Sequence, residues 1–386
     1  MRFSRMRVNM SAILETAGHA MIAISSAFAD CYALARARFI AGLATAGIAL
    51  MQHRHPLPGL EGEELAVDVA LDGEPDAERL LIVSSGCHGV EGLCGSGVQV
   101  FALYDDEWRE KARANGVAVL YVHALNPHGF SFRRRVTEDN VDLNRNFIDF
   151  TRPLPANPEY DELHPILLPA QWPPSLQNEM ALGRLVATRG EAALQAVISR
   201  GQYQHADGLF YGGNAPTWSH RTLRAILQTH GRSARRIAWL DLHTGLGPYG
   251  HGERIYAGRN QAEDRQRAVR WWDGGGATPV TVAGDGASAS SELTGQMYGC
   301  IHEECPQAEF TGLTLEFGTI AAVQVLQALR ADQWLSLHPD ADEMLAVQIR
   351  AQMRNAFYDE SETWKGMVIS QSRQAMFQAV DGLCGE

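Results

Sequence analysis

Apolar residues recur at helical spacing early in the chain, at Phe28, Tyr32, Ala35, Phe39 and Leu43, with Ser25 or Ser26 placed to cap the run. This pattern predicts a helix over 25–52. A short apolar run at 80–84, flanked by charge and glycine, reads as a buried strand. Residues 93–104 then read as a helix and 117–123 as a second strand. Strand, helix, strand in that order is a βαβ unit, which implies a parallel sheet covered on both faces. Further strands are expected at 237–242 and 313–316, and helices at 182–198, 217–229, 320–329 and 341–357.

Two stretches break the pattern. Seven of the sixteen prolines fall between Pro153 and Pro174, which argues for a long loop. The Gly/Ala/Ser-rich segment 274–291 reads as a second, mobile one. Long loops in compact enzymes either wall a site or are tolerated surface insertions. No repeat or composition break marks a further unit, so a single catalytic domain over 25–386 is expected after a weakly patterned extension over 1–24.

The 386 residues are 45% hydrophobic and 20% charged, which suits a large core and not a disordered chain. The net charge of −12 argues against nucleic acid as a partner, since that role favours a basic face. Six cysteines without a C-x-x-C pair suggest neither a disulfide scaffold nor a zinc ribbon. Arg2, Arg5 and Arg7 precede an apolar stretch at 20–29, but it is short, and Glu15 and His19 interrupt the approach to it. A cytoplasmic protein with no membrane partner is therefore expected.

Four segments could carry chemistry. In Ser84-Ser-Gly-Cys-His-Gly-Val-Glu-Gly92, His88 and Glu91 stand three apart at the end of a strand, so an imidazole and a carboxylate can converge on a metal from one turn. H-x-x-E alone is common by chance, but open α/β sheets bind ligands at strand carboxyl ends. In Trp239-Leu-Asp-Leu-His-Thr-Gly-Leu-Gly247, Asp241 and His243 are two apart on a strand and share a face. A carboxylate behind a metal-binding imidazole is a recurrent arrangement. A His, Glu, His set leaves a fourth zinc position open, the catalytic pattern.

The third segment follows the second strand. It holds Arg133, Arg134, Arg135 and the run Asp142-Leu-Asn-Arg-Asn-Phe147, concentrating positive charge in an acidic chain. Arginine's planar fork suits a carboxylate or a polarised carbonyl oxygen. In the fourth, Thr314-Leu-Glu-Phe-Gly-Thr319, Glu316 sits inside an apolar strand, where a carboxylate is costly unless paired or functional. It could serve as a general base toward water.

Together, His88-x-x-Glu91, Asp142-Leu-Asn-Arg-Asn-Phe147, Asp241-Leu-His243 and the Glu316 strand resemble the zinc carboxypeptidase superfamily. They appear in that superfamily's chain order across roughly residues 80–320. The phrases around them look like a bacterial branch of unknown function, related to the succinylglutamate desuccinylase/aspartoacylase group. The resemblance implies a three-layer α/β/α fold with a mixed, mainly parallel sheet. It also implies one zinc per chain held by His88, Glu91 and His243, with Glu316 as catalytic acid/base. Asn144 and Arg145 match the pair that grips a terminal carboxylate, while Asp142 and Asp241 support the zinc histidines. Arg135, with Arg134 next, would polarise the scissile carbonyl or touch substrate. Tyr249 and Tyr298 are candidates for a tyrosine over the site. The implied function is a carboxypeptidase-type zinc hydrolase acting on small peptides. The rivals are an N-acyl amino acid deacylase and a binding protein without turnover.

Overall fold

The computed structural model describes residues 21–385. Most of the expected extension over 1–24, with Arg2, Arg5 and Arg7, lies outside those residues. Eight strands form one mixed sheet: β1 (Met51–Pro58), β2 (Glu64–Asp72), β3 (Arg79–Ser85), β4 (Val117–His123), β5 (Arg236–Tyr249), β6 (Gly252–Ala257), β7 (Val280–Thr281) and β8 (Glu309–Gly318). Their order is β1-β2-β4-β3-β5-β8-β6-β7. The central four, β4-β3-β5-β8, are parallel, whereas β1, β2 and β6 join antiparallel.

Strand alternation builds the layers. Leu81 and Val83 face a cluster with Phe39, Val98, Val368 and Met376, from helices Tyr32–Ala46, Gly92–Leu103 and Glu362–Cys384. Leu80 and Ile82 face the opposite way, toward Leu223, Ile226 and Leu227 of helix Trp218–His230. A three-layer α/β/α sandwich results. A third apolar cluster gathers beside the turn after β3, joining Val90 to Leu194, Val325, Leu329 and Phe357 from the later helices.

Several expected boundaries move. The helix expected over 25–52 ends at Ala46, where Gly47 takes a left-handed φ of 70°, and the chain continues into β1. β1 escaped the pattern because it is an edge strand with mostly exposed residues, and the apolar run of the mostly buried β2 is split by Asp68. The proline-rich 153–174 is not wholly a loop: Pro158–Leu167 is a helix, started by Pro158 and carrying Pro165 near its end. Proline in a first turn costs little because those N–H groups have no helical partner. The helix expected over 182–198 is two, Leu176–Arg189 and Glu191–Ser199, divided at Gly190.

Topology places the site. From β3 the chain crosses to β4 on one side, while β5 lies on the other side of β3. A crevice therefore opens at the carboxyl ends of β3 and β5, where open α/β sheets bind ligands.

Candidate active site

His88 follows β3 in a turn that only glycine allows at two points. Gly86 has a φ of 67°, and a Cβ on Gly89 would lie 2.0 Å from the carbonyl carbon of Gly129. That close approach zips the turn to the arginine segment: Gly89 N–H donates to Arg135 O and Val90 N–H to Arg134 O. The turn brings Glu91 back to His88, with Glu91 Oε1 2.8 Å from His88 Nδ1. Glu91 Oε2 lies 3.0 Å from His243 Nδ1, at the point on β5 where pairing to β8 is interrupted after Thr244.

The other face of each imidazole is held by a carboxylate. His88 Nε2 lies 3.2 Å from Asp142 Oδ1, and His243 Nε2 lies 2.5 Å from Asp241 Oδ2. Both rings thus turn Nδ1 toward the same carboxylate, and the three donor atoms lie within 4.8 Å of one another. Two imidazoles, one carboxylate and an outer carboxylate behind each ring fit a catalytic zinc. The charge balance points the same way. Burial alone would raise Glu91's carboxyl, but His88 and His243 outweigh it and hold it well below the usual carboxylate range. Burial opposes a charged His243, yet Asp241 and Glu91 raise its pKa well above the ordinary histidine value. Buried carboxylates here attract cationic charge.

A further layer lies behind Asp241. Ser84, its register partner on β3, donates to Asp241 Oδ1 at 2.6 Å and accepts from the Trp239 indole N–H at 2.7 Å. Sequence reasoning missed Ser84 and Trp239 as site supports, although both stand in the motifs it quoted. Cys87 packs into an apolar layer with Leu125 and Leu143.

The arginine triplet fans out because Arg133 takes a left-handed φ of 56°. Arg135 reaches the site: its Nε donates to Asp142 Oδ2 at 2.9 Å and its Nη1 to Glu91 Oε1 at 3.2 Å. Arg134 turns away to Asp332 and Gln333 and does not line the cavity. Arg145 is buried, donating from Nε and Nη2 to Ser199 O and from Nη1 to Asn144 O. Asn144 accepts the Met297 N–H at 3.0 Å, and both Asn144 and Arg145 line the cavity. Nothing in the sequence pointed to Ser199, a backbone carbonyl 54 residues away. Tyr298 donates to Gln296 and Tyr249 is half exposed beside Ser361; neither lines the cavity, whereas Tyr256 does.

Glu316 is the register partner of His243 across β5 and β8 and lines the same cavity of about 270 Å³. Its Oε1 accepts the Leu246 N–H at 3.0 Å. Burial, then the charge of Glu91, pushes its pKa up to about 7, which suits a group that takes and returns protons near neutrality.

The sequence profile of DUF2817, described as a protein of unknown function, matches residues 28–371. No curated protein matches the chain. Among solved structures the chain is similar to thrombin activatable fibrinolysis inhibitor, at 10% identity over 92% of this chain and 74% of that one, with a TM-score of 0.50. Looser overlaps include carboxypeptidase A from Helicoverpa armigera, at 13% identity, 89% and 78% coverage and a TM-score of 0.43. An aspartoacylase family protein from Mesorhizobium loti overlaps at 14% identity, 75% and 66% coverage and a TM-score of 0.37. At such identities the likeness concerns the fold alone, and the first of the three shows it. Among the described residues, no helix is long and apolar enough to cross a membrane. With its profile match spanning most of the chain and its mixed sheet matching that fold, this protein belongs to the DUF2817 family and has a carboxypeptidase-like α/β architecture.

Proposed function

We infer that this chain is a zinc-dependent hydrolase of an amide bond next to a free carboxylate, with removal of a carboxy-terminal residue as the leading reaction. The observation that carries this reading is the convergence of His88, Glu91 and His243 with Glu316, Arg135 and Arg145 on one cavity. His88, Glu91 and His243 would hold the metal. When bound, zinc lowers the pKa of water toward roughly 7 and polarises a carbonyl.

The chain's own groups do the rest. Arg145, with the Asn144 amide, binds the substrate carboxylate and sets the register of the scissile bond. Arg135 is held by Asp142 with one edge toward Glu91, so it can donate to a carbonyl oxygen that gains charge. Glu316 keeps Oε1 on the Leu246 N–H, leaving Oε2 to take a proton from water and return it to the departing amine. The balance is simple: hydroxyl adds to the carbonyl carbon, the C–N bond breaks, and one proton passes through Glu316.

The test compares a zinc-loaded sample on one peptide with a free carboxy-terminus and on its amide. Faster cleavage of the acid supports the reading; equal rates overturn it, and hydrolysis of neither peptide removes the peptidase reaction. The rival deacylase needs the same metal, arginine and glutamate, and differs on the acyl side.

A further inference from the structure

The cavity lining is not uniform. Around Arg145 it is mixed, with the polar groups of Asn144, Ser199 and Gln296 and the Phe210 ring 5.6 Å from the guanidinium. Past Glu316 it changes. Leu246 donates its N–H to Glu316, and the Phe357 ring lies against Gly245, the residue before Leu246, where a Cβ would come within 2.8 Å of it; Thr244 donates its hydroxyl to Phe357 O at 2.6 Å. Val325, Leu326 and Leu329, on helix Ala322–Leu337, continue that wall. Val325 and Leu329 pack with Leu194 and Phe357 in one apolar cluster, against which Leu326 also rests. Val323 at the rim is 63% exposed, so the apolar wall runs out to solvent.

Charge points the same way. Among the described lining residues, Arg135 and Arg145 are the cationic side chains apart from the histidines. Arg135 already faces Asp142 and Glu91, and Arg145 is assigned to the substrate's α-carboxylate. A second carboxylate seated on that wall would meet aliphatic carbon, with no uncommitted lining cation to offset its desolvation.

Resting on the hydrolase reading above, we propose that the substrate carries a bulky aliphatic group on the acyl side of the scissile bond, seated against Leu326, Leu329 and Phe357. Dicarboxylic and very small acyl groups are poor substrates. The aliphatic group has two sources, a fatty acyl chain on an amino acid or the side chain of a penultimate residue. Burying one methylene is worth about 0.8 kcal/mol, a factor of three to four.

The experiment uses two series with alanine as the released residue. One is N-acyl-alanine with acetyl, butyryl, hexanoyl, octanoyl or succinyl groups. The other is acetyl-X-alanine, with X as Gly, Val, Leu or Asp. Zinc-loaded wild type gives kcat/KM, and zinc-loaded Glu316→Gln gives Kd for the same compounds. The expected result is a rise of about three- to fourfold per methylene in at least one series, with succinyl and Asp lowest. Leu326→Gln should flatten that rise. A steep acyl series with a flat peptide series assigns the fatty acyl source, and the reverse assigns the peptide; both support the inference. Turnover with no dependence on the aliphatic group, or a preference for succinyl or Asp, overturns it while the hydrolase reading stands. Tightening Kd without any turnover upholds the apolar subsite and removes the hydrolase reading. Neither binding nor turnover overturns both.

Discussion

His243 and Glu316 face each other across adjacent parallel strands, as register partners on β5 and β8. Paired residues on neighbouring strands point to the same face. An imidazole of the candidate metal site and a buried carboxylate therefore share one cavity without any loop having to carry them there. Sites built on strands are held more firmly than sites on loops.

Metal content is the first expected outcome. Purified protein should hold about one zinc per chain, because two imidazoles and one carboxylate make an open catalytic site. His243→Ala should lose most of it by elemental analysis. Full retention by the variant would remove these residues from the metal site.

Glu316→Gln should keep zinc and fold while the rate falls by roughly 10²-fold or more. The pH profile should carry the same signature. As the proposed base Glu316 would work in its ionised form, so activity should rise with pH through its pKa. That value is pushed up to about 7 partly by the charge of Glu91, which a bound cation offsets. The acid limb of kcat should accordingly lie between the ordinary carboxylate value and about 7, and the Gln variant should lack it. A limb of unchanged midpoint in the variant would assign the titration elsewhere.

The proposed carboxylate clamp of Arg145 and Asn144 is separable from the chemistry. An ion-assisted hydrogen bond of about 1.5–3 kcal/mol corresponds to roughly 10- to 100-fold in kcat/KM. Wild type should prefer a free-acid peptide over its amide by that margin, and Arg145→Met should lose the preference. An unchanged preference in the variant would place the clamp on another group.

Ser84→Ala removes the hydroxyl between Trp239 and Asp241. Outer partners of a metal-binding imidazole typically tune metal affinity by about 10- to 100-fold. Competition with a chelator should show weaker zinc binding, restored by Ser84→Thr. A lower melting temperature with unchanged zinc affinity would mark the serine as packing only.

Away from the site, His123 is buried, 2.9 Å from Ser96 Oγ and stacked on Phe39. Burial lowers its pKa to about 3, so the folded chain keeps it neutral where an unfolded histidine is already protonated. The unfolded state therefore binds the extra proton between about pH 6.5 and 3, and stability falls as pH drops through that window. Denaturant midpoints should decline toward acid less steeply in His123→Gln, by up to about 1.4 kcal/mol per pH unit. Parallel slopes for the two proteins would refute this.

What the residues themselves determined is local. The spacing of His88 and Glu91, the alternation of Asp241 and His243, and an acid in the apolar strand at Glu316 each follow from backbone periods of a turn or a strand. The central strands were legible for the same reason, since both their faces are buried and they read as apolar runs. Tertiary structure decided the rest. β1 was hidden because an edge strand with exposed residues lacks an apolar signal, and in β2 Asp68, paired with Arg36 of the preceding helix, splits the apolar run. The division of labour among Arg133, Arg134 and Arg135 was also out of reach. It depends on a left-handed residue that reverses the chain and on Asp332, nearly 200 positions away, which claims Arg134. The setting of Arg145 on Ser199 O and the apolar wall of helix Ala322–Leu337 are likewise long-range. Periodicity records which face of an element is buried, and only packing decides what that face meets.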